Sequence, residues 1–315
     1  MIRVHAPGKI MLTGEWAILE PGNTCIALPT QKHLVATLTP SDRYTIYAPE
    51  LLKNPITLLR DATTLSIHPA HSEYEQKLLH PSLIAAQHAL QVSTTSPYLQ
   101  TPWQLTITST LTDPTTQQKY GLGSSAATTV AIIKALHAFY FPHLPLDHAT
   151  CMERSLSAHS QAQGNCGSGF DTAIATWGQP LHYTNTPEER TKPTLIQLPK
   201  ELSILVGYSG SSAHTPTLIR HMMHHKNDNP LDYAHAINAI NDLVTQIHTA
   251  LCNNHNDELV HLINQNQTAL DELAKIIKLT LTTPALNDMI QRARTYGVMT
   301  LKSYSEARQN AYLTD

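Results

Sequence analysis

The sequence predicts a mixed fold of strands and helices divided into two domains. Strand-like and helix-like runs alternate in both halves of the 315 residues. A proline-containing connector over residues 180–200 separates the halves and puts the boundary near 185–200. The length suits one large or two medium domains, each with a proper core.

Residues 2–5 and 10–12 read as short strands around an Ala6-Pro7-Gly8-Lys9 turn. Residues 24–29 and 34–38 continue the strand pattern, the second as an alternating run. Residues 40–75 are turn-rich and carry no clear period. Residues 82–90 have helical periodicity, and residues 104–110 alternate Leu105 and Ile107 with Thr106 and Thr108 as a strand. Apolar, glycine-free residues 126–139 predict a helix, and residues 146–163 predict another. Beyond the connector, residues 202–208 read as a buried strand. Helices follow over about 231–251 and 257–278, then one from Pro284 to Tyr296, then a strand over 298–301.

The chain has only 12 glycines, so their clustering is informative: none lies between Gly22 and Gly121. Gly22, Gly178 and Gly207 are explained by helix-capping turns. Gly121 and Gly123, in Gly121-Leu122-Gly123-Ser124-Ser125-Ala126, open onto the 126–139 helix. A glycine turn at a helix N-terminus points unpaired N–H groups and the positive dipole end at an anion. Ser124 and Ser125 add hydroxyls that suit phosphate oxygens or a magnesium ion. The stretch is a phosphate loop, yet neither Walker nor Rossmann in spacing.

A second cluster, Gly164, Gly167 and Gly169, ends in Phe170-Asp171 before a helix over 172–176. Asp171 is the only carboxylate between Glu153 and Glu188. It reads as a helix N-cap or as a base that accepts a proton from an attacking group. Lys9 has Pro-Gly on one side and an apolar run on the other. A surface lysine is the ordinary reading; its fixed position favours a functional one. A cradle, a metal, a cation and an orienting acid are the parts that phosphoryl transfer requires.

A net charge of −3 argues against a broad nucleic-acid surface or a polybasic membrane surface. No apolar run approaches membrane length, and no signal-peptide apolar segment follows Met1, so a cytoplasmic location is expected. Cys25, Cys151, Cys166 and Cys252 are scattered, as free thiols in a reducing compartment would be. His221, His224 and His225 form the densest of the histidine groups and read as solvated surface.

Residues 6–19, Ala-Pro-Gly-Lys-Ile-Met-Leu-Thr-Gly-Glu-Trp-Ala-Ile-Leu, resemble the first motif of the GHMP kinases, and residues 121–127 resemble their second. Within that superfamily the chain is most similar to the phosphomevalonate kinases. Lys119, residues 162–171, residues 206–215 and Thr-Pro-Ala-Leu at 283–286 carry that likeness in the family's order. Mevalonate kinases usually have Gly-Glu-His where residues 14–16 read Gly-Glu-Trp, and a metal-binding glutamate where residues 155–170 hold no carboxylate.

The resemblance implies a two-domain α+β fold with the active site in the interdomain cleft. The N-terminal domain would be residues 1–190, with the phosphate loop, Lys9 and Asp171, and the C-terminal domain residues 191–315. It implies ATP and Mg2+ as co-substrates, 5-phosphomevalonate as small-molecule acceptor, and a monomer or homodimer. Gly121 to Ala126 would cradle the nucleotide phosphates, Ser124 or Ser125 facing the magnesium. Lys9 would neutralise charge at the transferred group and Asp171 would be the motif's acid. Lys119, Ser168, Gly169, Ser211, Ser212, His214 and Lys302 would serve the acceptor. The departure is at the third, glycine-rich motif, because no glycine follows Gly297 and bulky Arg308 and Gln309 stand there. The C-terminal domain is therefore expected to be altered or incomplete at its end, with residues 310–312 starting a returning strand. Another GHMP kinase, acting on mevalonate or a sugar, and a nucleotide-binding relative without turnover are the alternatives.

Overall fold

The first two expected strands are one: β1 runs through Ile2–Thr13. Pro7 and Gly8 do not turn the chain: β1 runs through them and pairs with β2 (Thr24–Pro40). Lys9 therefore sits inside a strand, flanked by buried Gly8 and Ile10, rather than at a strand edge.

The computed structural model describes residues 1–62, 64–116, 118–163, 167–208, 215–278, 284–295, 300–304 and 309–314. These form two compact units. The first comprises Met1–Lys9, Pro29–Thr112 and Gly123–Gly178. The second comprises Ile10–Leu28, Asp113–Leu122 and Gln179–Asp315.

In the first unit, β3 (Thr45–Tyr47), β4 (Ile56–Asp61) and β5 (Thr64–Ile67) occupy the stretch that reads as turns. Three to six residues are too few for an alternating pattern to stand out. Helix α1 (Glu73–Gln91) starts well before residue 82. Its capping box pairs Ser72 with Glu75, but Pro81 interrupts the helical pattern from inside. Strand β6 (Trp103–Ser109) pairs antiparallel with Leu34–Pro40 of β2 and parallel with β3. Helices α2 (Ser124–Tyr140), α3 (His148–Ala162) and α4 (Phe170–Trp177) lie where the periodicity places them. Buried Ala126, Ala127, Ala131 and Ala173 keep helix contacts short. The Trp103 indole N–H donates to the buried Tyr140 hydroxyl at 2.8 Å and ties β6 to α2.

In the second unit, β7 (Leu181–Thr184) pairs antiparallel with Thr24–Ala27 of β2, and β8 (Thr194–Leu195) pairs with β7. The expected connector thus contains strands. Strand β9 (Ser203–Tyr208) is not buried, since Leu205 and Val206 are 56% and 44% exposed. Helices α5 (Thr215–Asp228), α6 (Pro230–Asn253), α7 (Asn256–Ile276) and α8 (Pro284–Thr295) follow. Strands β10 (Thr300–Tyr304) and β11 (Gln309–Thr314) close an antiparallel sheet of order β10-β11-β9. The returning strand expected from residues 310–312 is present, with Ala311 opposite Val206.

The core of this unit packs Trp16, Met222, Tyr233, Ile237, Ile240, Leu270 and Leu273 together. Helix α5 was not foreseen, and His225 is buried on it while His224 stays exposed, so the histidine group is only partly solvated. Lys226 reaches both Glu20 carboxylate oxygens, at 2.7 and 2.8 Å, and the Tyr233 hydroxyl donates to one of them. Cys25 and Cys151 are buried and Cys252 is exposed; Cys166 lies outside the described residues. Among the described residues no helix is long and apolar enough to cross a membrane.

His182 on β7 stacks on His248 of α6, with ring centroids 4.5 Å apart. Burial first, and then the neighbouring imidazole, bring the His182 pKa down to about 4, against a small opposing pull from Glu189. The unfolded chain takes this proton near pH 6.5, before the folded one does, so stability falls as pH drops from 6.5 towards 4. His182→Phe is expected to lessen that fall, read as chemical-denaturation midpoints at several pH values. Parallel midpoint curves for the two proteins would contradict it.

Candidate active site

Helix α2 begins at Gly123, whose φ of 75° and ψ of 36° are left-handed. No side chain caps this end, and no acid lies in the first turn. The N–H groups of Ser124, Ser125 and Ala126 are thus left for a partner outside the helix, where the dipole is positive. The first helical bond is made by Ala127, whose N–H donates to the Gly123 carbonyl at 3.1 Å. The Thr128 and Thr129 hydroxyls turn back onto the Ser124 and Ser125 carbonyls, at 2.8 and 3.1 Å. Both serines are half-buried.

Lys9 crosses this helix end. A Cβ at Gly123 would stand 2.9 Å from Lys9 Cγ and 3.2 Å from Cε. Glycine is required there twice over, for its φ and for the lysine stem. Lys9 is only 6% exposed, and its ammonium lies 4.9 Å from the centroid of the Phe170 ring. A cation over an aromatic face is favourable, more so out of water.

Phe170 opens α4, whose N-cap is Gly169 in the left-handed region at φ 89°. Asp171 is therefore not the N-cap. It is the second residue of the helix, and its Oδ1 accepts from the Thr172 N–H at 2.8 Å. A carboxylate in a first turn complements the dipole. Ser168 is buried beside it in sequence, and the buried Thr172 hydroxyl has no hydrogen-bond partner among the described residues.

Lys9 on β1, Gly123 to Ala126 on α2 and Ser168 to Asp171 at α4 thus belong to one unit, with Lys9 touching both helix starts. Gly121, at φ 78°, and Leu122 lead into the loop from the other unit's segment. Lys119 is exposed in that same segment. Next to it the Tyr120 hydroxyl donates to Asp113 Oδ2 at 3.1 Å, and the Tyr120 ring meets Tyr208 edge-on. Lys302 lies on β10 opposite Ala311. Ser211, Ser212, His214 and the Gly164–Cys166 part of the second cluster lie outside the described residues. Phe170 as the seat of the Lys9 ammonium escaped the sequence reading, because an apolar first-turn residue reads as core.

Residues 84–179 match the family described as GHMP kinases N terminal domain, a span that includes α2, α3 and α4. The chain is 24% identical over 319 residues to the phosphomevalonate kinase of Streptomyces sp. (strain CL190), covering 93% of this chain and 84% of that protein. To the mevalonate kinase of Pyrococcus abyssi it is 25% identical over 309 residues, covering 96% and 84%. The solved Streptococcus pneumoniae phosphomevalonate kinase, in complex with phosphomevalonate and AMPPNP, has this fold. Its TM-score is 0.78 at 20% identity, covering 100% of this chain and 92% of that one.

Gly123→Ala adds a Cβ to a left-handed residue and drives it into the lysine stem. It is expected to weaken ATP binding by about tenfold or more, equivalent to about 1.4 kcal/mol, while the far-ultraviolet circular dichroism stays unchanged. Calorimetric titration with ATP checks this, and undiminished affinity would contradict the cradle.

Proposed function

We propose that the chain is a GHMP-type kinase of the mevalonate pathway that transfers the γ-phosphoryl group of ATP to the phosphate of 5-phosphomevalonate. The products are ADP and 5-diphosphomevalonate. The observation that carries this reading is the buried Lys9 laid across the uncapped start of α2 and over Phe170, whose next residue, Asp171, is the only acid of its motif.

The N–H groups of Ser124, Ser125 and Ala126 would bind the nucleotide phosphates, with the dipole favouring their charge. The hydroxyls of Ser124 and Ser125 are hard oxygen donors at that uncapped end and would hold magnesium, which when bound supplies charge neutralisation on the phosphates. An acceptor phosphate oxygen forms the new bond to the γ-phosphorus as the bond to the β–γ bridging oxygen breaks. The acceptor is already ionised near neutral pH, so no proton has to leave it. What the transfer requires from the protein is position and positive charge, and Lys9 supplies charge where two phosphates meet. Asp171, with Oδ1 engaged by Thr172, keeps Oδ2 to orient the bound groups. Lys119, Ser168, Gly169, Ser211, Ser212, His214 and Lys302 are assigned to the acceptor.

The test is ADP release by the purified chain with ATP and magnesium, with 5-phosphomevalonate, mevalonate and several sugars offered in parallel. Turnover on 5-phosphomevalonate is expected, with kcat/KM at least tenfold above that for mevalonate, a gap of about 1.4 kcal/mol. Preference for mevalonate would reassign the acceptor, and ATP binding without turnover on any acceptor would remove the activity. Within this mechanism Lys9→Ala should cost roughly 10²–10³ in kcat, as loss of one charge-stabilising group does, and Asp171→Asn should cost less. Steady-state rates of the two variants check the order, and the reverse order would point to general-base catalysis.

A further inference from the structure

At the far end of α2 the chain turns into α3 around a cavity of about 440 Å³. Lys134, His137, Phe141, His143, Leu146 and His148 line it, with proline and alanine between them. Lys134 is ten residues along α2 from Ser124, roughly 15 Å at 1.5 Å per residue, so this cavity is separate from the phosphate loop. Its volume is within the usual range for small-molecule pockets.

The chemistry of the lining is one-sided. Lys134 and three histidines face the cavity, and no carboxylate is among the lining residues. The Lys134 ammonium donates to the Thr176 carbonyl at 2.7 Å, in the last turn of α4. It has three N–H donors, and among the described residues no carboxylate forms an ion pair with it. Burial pulls its pKa down, as expected for a cation short of counter-charge.

The other groups are already committed. His137 Nε2 meets the Leu144 carbonyl at 2.9 Å and so carries the proton, leaving Nδ1 to accept from Arg154 at 3.3 Å. Asp147, the nearby acid, accepts from the Thr150 N–H and hydroxyl at the start of α3. His148 stacks on Trp177.

We propose that this cavity binds a small anionic amphiphile, its carboxylate or phosphate head on Lys134 and its apolar body against Phe141 and Leu146. A buried cation with donors to spare favours the head, and a charge-assisted hydrogen bond is among the stronger polar contacts. The apolar wall supplies the rest, at about 0.8 kcal/mol per buried CH₂.

The test titrates the full chain, saturated with ATP and magnesium to fill the active site, with hexyl phosphate, hexanoate and hexanol in a calorimeter. One equivalent of at least one anion is expected to bind with a Kd below about 1 mM, the tighter of the two identifying the head group, and hexanol at least tenfold more weakly. Lys134→Met keeps the stem and removes the charge, and should weaken the anion by tenfold or more. Ala138→Phe fills the cavity while keeping the Lys134 charge and should abolish binding even if Lys134→Met fails to fold. No anion binding by the unaltered chain would overturn the proposal. So would hexanol binding as tightly as the anions, or full affinity in Ala138→Phe.

Discussion

Everything at the candidate site depends on a helix that starts without a cap. An uncapped N-terminus is ordinarily a weak point, since three or four N–H groups lose their water or partners on burial. Here the loss is confined to one place, because Gly123 takes the left-handed turn and adds no side chain of its own. The missing Cβ also leaves the channel through which the Lys9 stem passes. Two positive features, a dipole end and an ammonium, are thereby brought together by sterics alone. Such an arrangement is tolerable where an anion completes it, and that gives the glycine a meaning beyond turn geometry.

The rest of the first unit serves to hold that pair still. Strand β1 delivers Lys9 from inside a sheet, so the position of its backbone is set by ladder hydrogen bonds rather than by a loop. Helices α2 and α4 pack together, and the alanines near their starts are buried. Phe170 then seats the ammonium, and Asp171, one residue on, faces a helix start that favours its charge. A cradle built this way is preorganised, so little reorganisation is left for the moment of reaction.

The parts of this that could be read from the sequence were those with a local cause. Sparse glycines beside hydroxyls, and a long apolar run behind them, are enough to place the candidate phosphate loop at the start of α2. Helices α3, α6 and α7 show their period plainly. Features whose cause lies elsewhere in the chain were not legible. Strands β3 and β5 are too short for a period, and β7 exists because the start of β2 offers it an edge. Lys9 reads as a turn residue because Pro-Gly is a turn signal, and the pairing of β1 with β2 overrides that signal. Burial of His225 depends on how α5 packs, which a histidine-rich stretch does not declare.

Two lysines show why burial has to be read together with its surroundings. Lys9 is 6% exposed, and its charge lies over an aromatic ring at two helix N-termini. Those dipoles oppose a cation, and an anion at the same helix starts would be favoured by dipoles and ammonium together. Lys134 is held at a helix C-terminus instead, where the Thr176 carbonyl and the negative dipole end favour a cation against the burial that lowers its pKa. The same side chain is thus set against the local field in one place and along it in the other. The first arrangement adds an ammonium to two positive helix ends, which would favour a highly charged anion. The second leaves donors on a buried ammonium, the feature that favours the anionic head proposed for the cavity.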